Sequence, residues 1–381
     1  MIDFDLTDEQ QMILDTVDRF MARHLPASLQ MQHDAEHAPP YHLMPLLAET
    51  GLLAMPFPTE IGGLGGDWRT VALVQERLGF RGWMMASLYN RAIGFGGMSL
   101  LTYGTEEQRT RLMPRLIEGR LLVSLALTEP GAGSDAAAVQ TRAVKVDGGW
   151  RITGTKTWCS DARDADYMVV VARSRSGSTR HEGMSNFLVP PTLEGISMSR
   201  LGKVGNNCLP SYEVAFDNVF VPDADLMGQE GEGFTNMALT LKYARCGMAA
   251  STTGLAQRAV DLAVAHAKER VQFGKSISKQ QVIAHRLVDM QTRVDQSRLM
   301  VWHLAWSIAI GRDSARAASQ AKVVATEALH SVASDAMQIM ASAGYSTDGE
   351  MERIWRDSRL YTFGEGSNEI QRNIIARTMG L

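Results

Sequence analysis

The sequence predicts an α+β protein with three domains: an N-terminal α-helical domain at residues 1–120, a central antiparallel β-barrel or sandwich at 121–230, and a C-terminal four-helix bundle at 231–381. Three observations support this division. The chain of 381 residues exceeds the size at which one hydrophobic core usually stops growing. Apolar residues recur at helical spacing in both ends of the chain. Short runs of β-forming residues fill its middle.

The first domain is predicted from helix-start signals. Thr7 with Gln10, and Thr105 with Gln108, have the spacing of capping boxes, in which each side chain bonds the backbone N–H of the other residue. A glycine cluster at 62–66 interrupts the helical segments between them. Residues 1–120 are therefore interpreted as all-helical.

Six segments in the central domain have strand composition. Asp147-Gly148-Gly149 predicts a hairpin turn between two of them. The predicted strands are 121–128, 141–146, 150–159, 167–172, 186–189 and 212–216.

From residue 233 onward, helical periodicity returns. One of the helical segments is rich in alanine, which allows close contact between helices. The predicted helices lie near 233–270, 279–311, 313–343 and 365–379. Four helices of this kind predict a bundle.

Composition disfavours several classes of function. The formal charge of −4, the pI near 6.2 and the lack of a basic stripe give no electrostatic basis for binding nucleic acid. No targeting sequence or membrane-length apolar run is seen, so a cytoplasmic protein without membrane insertion is expected. Cys159, Cys208 and Cys246 lack the spacing of a metal site or a disulfide framework, and no metal is expected.

A glycine-rich loop follows the first predicted strand. Its sequence TEPGAGSDA, from Thr128 to Ala136, contains a G-x-G-x-x-A match that could indicate a dinucleotide-binding βαβ unit. We reject that interpretation because the next strand begins too soon for a crossover helix, and because Arg151 stands where an acidic ribose ligand is needed. The loop is then either a phosphate- or ring-binding loop or a plain tight turn.

A carboxylate between two glycines opens the last predicted helix. Gly364 and Gly366 flank Glu365 and let a ligand approach the main chain closely, and Ser367 is suited to cap the helix that follows. Glu365 is therefore the first catalytic candidate. The alternative is a capped surface helix with an ordinary solvated glutamate.

Two further segments could bind a flat, charged ligand. Trp158 and Ser160 end a predicted strand, where an indole could stack on a heteroaromatic ring; the alternative is a core tryptophan. Arg270 and Phe273 close one helix before Gln281 opens the next, and this turn could hold a pyrophosphate and an adenine. The favourable position of a cation at a helix C-terminus explains Arg270 equally well.

Taken in order, these segments closely resemble the acyl-CoA dehydrogenase family of flavoproteins. The resemblance covers essentially the whole chain. It rests on LTEPGAGSD at 127–135, KTWCS at 156–160, RVQFG at 270–274, the Q-x₅-G segment at 338–344 and EGSNEIQ at 365–371.

The resemblance implies an FAD cofactor between the β domain and the helical bundle. The implied contacts to the flavin and its ribityl chain are Leu125, Leu127, Thr128, Ser134, Trp158, Ser160, Ser367 and Glu369. The adenosine diphosphate half would be bound mainly by a neighbouring subunit, through Arg270, Phe273, Gln281, Gln338 and Ser342. A shared cofactor implies a homo-oligomer, which in this family is typically a tetramer of two dimers.

The resemblance also implies the chemistry. Glu365 would remove the α-proton of an acyl-CoA thioester while hydride leaves the β-carbon for the flavin, giving a trans-2-enoyl thioester, and an electron-transfer flavoprotein would accept the electrons. The Glu365 main-chain N–H and a ribityl hydroxyl would hold the thioester oxygen. The implied substrate contacts are Ser134, Arg245 and Gly366.

Some positions depart from the family pattern. Ala244 stands where some relatives carry the base, so that alternative base is absent. Lys242 replaces a frequent aspartate near the pantetheine arm, and Ala341-Ser342 replace a usual pair of glycines beside the flavin. Gly364 replaces a frequent tyrosine, which could open room for a branched or bulky acyl group.

Two other functions remain open from the sequence. One is dehydrogenation of an acyl or aminoacyl group tethered to a carrier protein. The other is a non-catalytic flavin-binding role, which the intact Glu365 position disfavours. The chain lacks the added basic regions of relatives that bind DNA.

Overall fold

Helices form the first part of the chain in the computed structural model, which describes residues 5–175 and 181–381. They are α1 (Asp8–His24), α2 (Ala27–Ala35), α3 (Leu43–Ala48), α4 (Trp68–Asn90), a π-helix (Arg91–Gly97), α5 (Met98–Tyr103) and α6 (Glu106–Ile117). Both predicted capping boxes are confirmed, with Thr7 before α1 and Thr105 before α6. α4 is kinked at Gly82 and continues directly into the π-helix.

The middle of the chain forms one sheet. Its strands are β1 (Val123–Ala126), β2 (Arg142–Val146), β3 (Gly149–Ser160), β4 (Tyr167–Arg173), β5 (Met184–Val189), β6 (Ile196–Arg200), β7 (Ser211–Pro222) and β8 (Leu226–Met227). The order is β6-β7-β3-β2-β4-β5-β8, and β1 adds to β4. Pairing is mainly antiparallel, as predicted, but β1 runs parallel to β4, and one bridge between β2 and β4 is also parallel.

Local turn chemistry explains the β2–β3 hairpin. Val146 pairs with Gly149 across the predicted turn, and Gly148 takes a φ of +71°, which glycine adopts without steric cost. Strands β6 and β8 were not predicted. β6 is largely polar and half-exposed, and β8 is only two residues long, so neither has the hydrophobic pattern that indicates a strand.

The last part of the chain is helical, apart from one short hairpin. Its elements are α7 (Gly233–Glu269), β9 (Val271–Gln272), β10 (Lys275–Ser276), α8 (Gln281–Ala309), α9 (Ala315–Met340), α10 (Ser342–Tyr345), α11 (Met351–Ser358) and α12 (Asn368–Thr378). Helices α7, α8, α9 and α12 form the predicted bundle. The short helices α10 and α11 lie between α9 and α12 in sequence, and α10 begins within the third predicted segment.

The two helical parts share one hydrophobic core, although the sheet separates them in sequence. This core runs from Val17 and Phe20 in α1 to Tyr361, whereas the sheet has a core of its own around Trp150 and Phe187. Close helix contact requires glycine here: a Cβ on Gly79 of α4 would lie 2.2 Å from the Ser251 carbonyl oxygen of α7. Helix α4 and its π-helix are thereby held against α7.

Neither a metal cluster nor a transmembrane helix is found in the part of the chain that the structure describes. No group of three or more His, Cys, Asp or Glu side chains within residues 5–175 and 181–381 is placed to bind a metal ion. Over the same ranges, no helix is both long and apolar enough to cross a bilayer.

Candidate active site

Glu365 lies in a tight loop that joins the 3₁₀ turn Leu360–Thr362 to α12. Glu365 itself has a φ of +54° and Gly366 one of +88°, so two consecutive residues adopt the left-handed conformation. The backbone N–H of Ile370 donates to Ser367 Oγ at 3.4 Å, which confirms the predicted helix cap. A left-handed glutamate is uncommon and requires support from its surroundings.

The Glu365 carboxylate is not an ordinary solvated one. Its Oε2 atom is excluded from solvent and has no hydrogen-bond partner. Burial raises the pKa of Glu365 to about 7, and the positive charges of Arg245, Lys322 and Arg91 partly oppose this shift. The alternative of a solvated surface glutamate is therefore wrong. A buried carboxyl group with a pKa near neutrality is suited to general-base catalysis.

Arg245 of α7 lies close to the same loop. Its Nη2 atom would be 3.9 Å from a Cβ on Gly366, and its Nε atom is buried without a hydrogen-bond partner. Burial lowers the pKa of Arg245, while the charge of Glu365 opposes that effect. Buried polar atoms usually have partners in the protein, so unpartnered atoms on both residues indicate a site for a ligand.

Two buried side chains that the sequence analysis missed hold this loop. Lys322 Nζ of α9 donates to the Gly366 carbonyl oxygen at 3.0 Å and to Asn368 Oδ1 at 2.7 Å. Gln371 Nε2 donates to the Gly366 oxygen at 3.1 Å. A sequence signal for Lys322 existed: it is a single charge within the stripe of buried residues Ala318, Ala321, Ala325 and Leu329 on an alanine-rich helix.

A third missed residue is Arg91, at the start of the π-helix. It forms an ion pair with the buried Asp161, and the Tyr41 hydroxyl donates to Asp161 Oδ1 at 2.7 Å. Burial lowers the pKa of Arg91, with charges including Glu365 acting in the opposite direction. In the sequence, Asp161 directly follows the strand that ends with Trp158 and Ser160, and this position could have drawn attention to the Arg91–Asp161 pair.

The glycine-rich loop is held by hydrogen bonds from Lys156, and its two glycines face open space. Lys156 Nζ donates to the Leu127 carbonyl oxygen at 2.9 Å and to Glu129 Oε1 at 2.8 Å. A Cβ on Gly131 or Gly133 would meet no atom within 4 Å. The loop leads to β2 through a 3₁₀ turn, Ala136–Ala138, and not through a crossover helix. The rejection of the βαβ interpretation is therefore confirmed.

Trp158 lies beside this loop at a bulge of β3. The register between β3 and β7 shifts between Lys156 and Cys159, and Trp158 takes a φ of +58°. Its side chain is 53% exposed, so the alternative of a core tryptophan is wrong. The Ser124 hydroxyl donates to the Ser160 carbonyl oxygen at 2.7 Å, which joins β1, the strand of Leu125, to the end of β3.

The remaining predicted cofactor residues lie on the surface of the bundle. Phe273 is at the tip of the β9–β10 hairpin, with a φ of +51° and 96% of its surface exposed. The other exposed members of this group are Arg270, Gln281, Gln338 and Ser342. Ser134 on the glycine-rich loop and Glu369 on α12 are also exposed.

Comparison with known proteins relates the whole chain to one family. Residues 7–120, 124–219 and 231–380 match the N-terminal, middle and C-terminal domains of acyl-CoA dehydrogenases. The chain is 35% identical over 383 residues to a probable acyl-CoA dehydrogenase, YngJ, of Bacillus subtilis, covering 99% of this chain and 100% of the relative.

Two solved structures have the same fold. The structure of a glutaryl-coenzyme A dehydrogenase complex with glutaryl-CoA has a TM-score of 0.95 at 32% identity, covering 100% of this chain and 97% of the other. The structure of PigA with FAD and proline has a TM-score of 0.94 at 26% identity, covering 100% of both chains.

Proposed function

The chain belongs to the acyl-CoA dehydrogenase family, and we propose that Glu365 is the base that removes the α-proton of an acyl-CoA thioester. The enzyme is an FAD-dependent acyl-CoA dehydrogenase. The observation that supports the role of Glu365 is its solvent-excluded Oε2 atom, which has no partner within the chain. A carboxylate in this state can accept a proton at neutral pH, because burial brings its pKa to about 7.

The residues of the β domain fit FAD. The exposed indole of Trp158 offers a face for the isoalloxazine ring, and Ser160 lies two residues further along β3. The open space over Gly131 and Gly133 lets a ligand approach the main chain, with Thr128 and Ser134 supplying hydroxyl groups. When bound, FAD supplies the oxidant that takes hydride from the β-carbon of the substrate.

The protein positions the base and supplies hydrogen-bond donors and positive charge around the reacting atoms. Glu365 has a left-handed backbone conformation, and we assign its main-chain N–H to the thioester oxygen. Arg245 contributes positive charge close to Gly366, where negative charge develops as the α-proton leaves. Together they would stabilise the enolate while Glu365 holds the proton.

We also propose that the active enzyme is a homotetramer with shared cofactor sites. The exposed Phe273 hairpin supports this proposal, because a nearly fully exposed aromatic side chain gains stability when a partner covers it. Arg270, Gln281, Gln338 and Ser342 would contribute to the adenosine diphosphate half of FAD in the neighbouring subunit. The three buried cysteines are free thiols, which supports a location in a reducing cytoplasm. We propose an electron-transfer flavoprotein as the electron acceptor.

The residue before the base bears on substrate choice. Gly364 lies next to the base, and a Cβ on it would be 3.9 Å from Met248 Cε and 3.3 Å from the Leu360 carbonyl oxygen. We propose that the absence of a side chain at this position leaves room for a branched or bulky acyl group rather than a short straight one.

The test is an anaerobic titration of the FAD-loaded enzyme with straight, branched and aromatic acyl-CoA thioesters. We expect loss of the oxidised flavin absorbance and a new long-wavelength band, strongest with branched or aromatic thioesters. Reduction by a pantetheinyl carrier protein but not by CoA thioesters would replace the proposed substrate with a carrier-bound one. Greater activity with short straight chains would contradict the proposed role of Gly364.

A further inference from the structure

Lys322 is a fully buried cation in the middle of α9, with 0% of its surface exposed. We propose that Lys322 is a positioning residue for the proton-transfer step: it holds the loop that carries Glu365 and keeps a positive charge beside the base. This inference rests on the proposed role of Glu365. It concerns how the chain makes the base usable, not which substrate is bound.

The contacts of Lys322 lie on both sides of Glu365 in the chain. Its Nζ atom donates to the Gly366 carbonyl oxygen at 3.0 Å and to Asn368 Oδ1 at 2.7 Å, and it lies 3.4 Å from the Thr362 carbonyl oxygen. One ammonium group thus connects the 3₁₀ turn before the base, the left-handed glycine after it and the first residue of α12. Such contacts oppose any change in the strained loop.

The acceptors are themselves fixed. Asn368 Nδ2 is placed 3.2 Å from Thr326 Oγ1, on the turn of α9 that follows Lys322. Ser319 Oγ, one turn earlier on α9, donates to Gln371 Oε1 at 3.0 Å, and Gln371 in turn donates to the Gly366 oxygen. Helix α9 therefore holds the loop around Glu365, residues 362–368, which we call the base loop, through two successive turns with Lys322 at the centre.

Charge distinguishes this arrangement from ordinary loop packing. Burying an ammonium group costs free energy that a neutral donor of similar size would not incur. Burial lowers the pKa of Lys322 to about 8, while the charge of Glu365 opposes the shift, so Lys322 remains mostly protonated at pH 7. The charged groups that act on Glu365 are Arg245 of α7, Lys322 of α9 and Arg91 of the π-helix. Those that act on Lys322 include Glu365, Arg245, Glu369 and Glu327.

Lys203, which is partly buried, provides a comparison for this role. Lys203 also bonds main-chain carbonyl groups, including that of Asn206 at 2.9 Å, and burial likewise lowers its pKa to about 8. These contacts lie in the segment between β6 and β7 and include none of residues 362–368. The segment meets the 3₁₀ turn before the base through Asn206 Oδ1, which accepts from the Tyr361 hydroxyl at 3.4 Å. A variant at Lys203 therefore reports the cost of losing a partly buried, carbonyl-bound lysine whose own hydrogen bonds do not reach residues 362–368.

The experiment compares FAD-loaded Lys322→Met, Lys322→Gln and Lys203→Met with the wild type. It measures the limiting rate of flavin reduction from pH 5.5 to 9, amide hydrogen exchange in residues 362–368, and thermal stability. For Lys322→Met we expect a rate about tenfold or more lower at pH 7, a pH midpoint raised by about one unit and faster exchange in the loop. Lys322→Gln keeps a hydrogen-bond donor, so its midpoint should shift with less change in exchange.

Lys203→Met should lose stability but keep the wild-type midpoint and loop exchange. A Lys322→Met or Lys322→Gln enzyme with the wild-type midpoint and wild-type exchange would overturn the proposal, whatever its stability. Failure of the wild type to be reduced by any thioester would instead overturn the proposed function. In that case the hydrogen-exchange comparison would still test whether Lys322 holds the loop.

Discussion

The main-chain N–H of Thr157 donates to the carbonyl oxygen of Thr128 at 2.8 Å. This bond joins the glycine-rich loop to β3, the strand that carries Trp158, although β2 lies between them in sequence. The buried pair of Lys156 and Glu129 reinforces the junction directly beneath it. The two predicted flavin-binding segments therefore form one surface, which links the polar loop to the aromatic ring.

Trp158→Ala is expected to weaken FAD binding by about tenfold, because stacking on the exposed indole is lost. The fold should be retained, since the side chain is half outside the core. The measurement is the dissociation constant of FAD by fluorescence titration of the apoenzyme, with circular dichroism to check folding. Trp355→Ala on α11 removes another partly exposed tryptophan and should leave FAD affinity unchanged. Equal loss in both variants would count against stacking.

Glu365→Gln is expected to lower the limiting rate of flavin reduction by about 100- to 10,000-fold, because an amide cannot accept the α-proton. FAD content should remain that of the wild type. Stopped-flow absorbance under anaerobic conditions measures the rate. Glu194→Gln, at an exposed position, makes the same chemical change and should have no effect. A wild-type rate in the Glu365 variant would remove the residue from the mechanism.

The limiting rate of flavin reduction is expected to rise with pH and to level off above about pH 7. The sign follows from the role of the base: Glu365 works only when deprotonated, and burial raises its pKa to about 7, so the active form is lost as pH falls below that value. The rate should fall about tenfold for each unit below it. A rate of flavin reduction that stays unchanged down to pH 5 would show that the group acting as the base has an ordinary carboxyl pKa.

Phe273→Ser is expected to release FAD and to shift the protein to smaller oligomers. The side chain is almost fully exposed within one chain, so its removal should not change the stability of the isolated subunit. Light scattering coupled to size-exclusion chromatography gives the mass, and absorbance gives the FAD content. Val282→Ser, at another exposed apolar position on α8, is the comparison for general loss of apolar surface. An intact, FAD-loaded tetramer would argue against the shared site.

Much of the architecture was predictable because it depends on residues close together in the chain. The capping boxes of Thr7 and Thr105, the turn at Gly148 and the cap at Ser367 all form between residues a few positions apart. Helical periodicity located the bundle for the same reason. Strand β6 escaped prediction because its largely polar sequence carries no such local signal.

By itself, the sequence determined the order of domains, the family and the position of Glu365 between two glycines. Only the tertiary structure decided that the Glu365 carboxylate is buried, that Arg245 and Lys322 flank it, and that the Trp158 ring is exposed at a bulge. The physical reason is that desolvation and charge act through space. The pKa of Glu365 depends on α7, α9 and the π-helix, whose residues come from distant parts of the chain and meet only when the shared helical core is assembled.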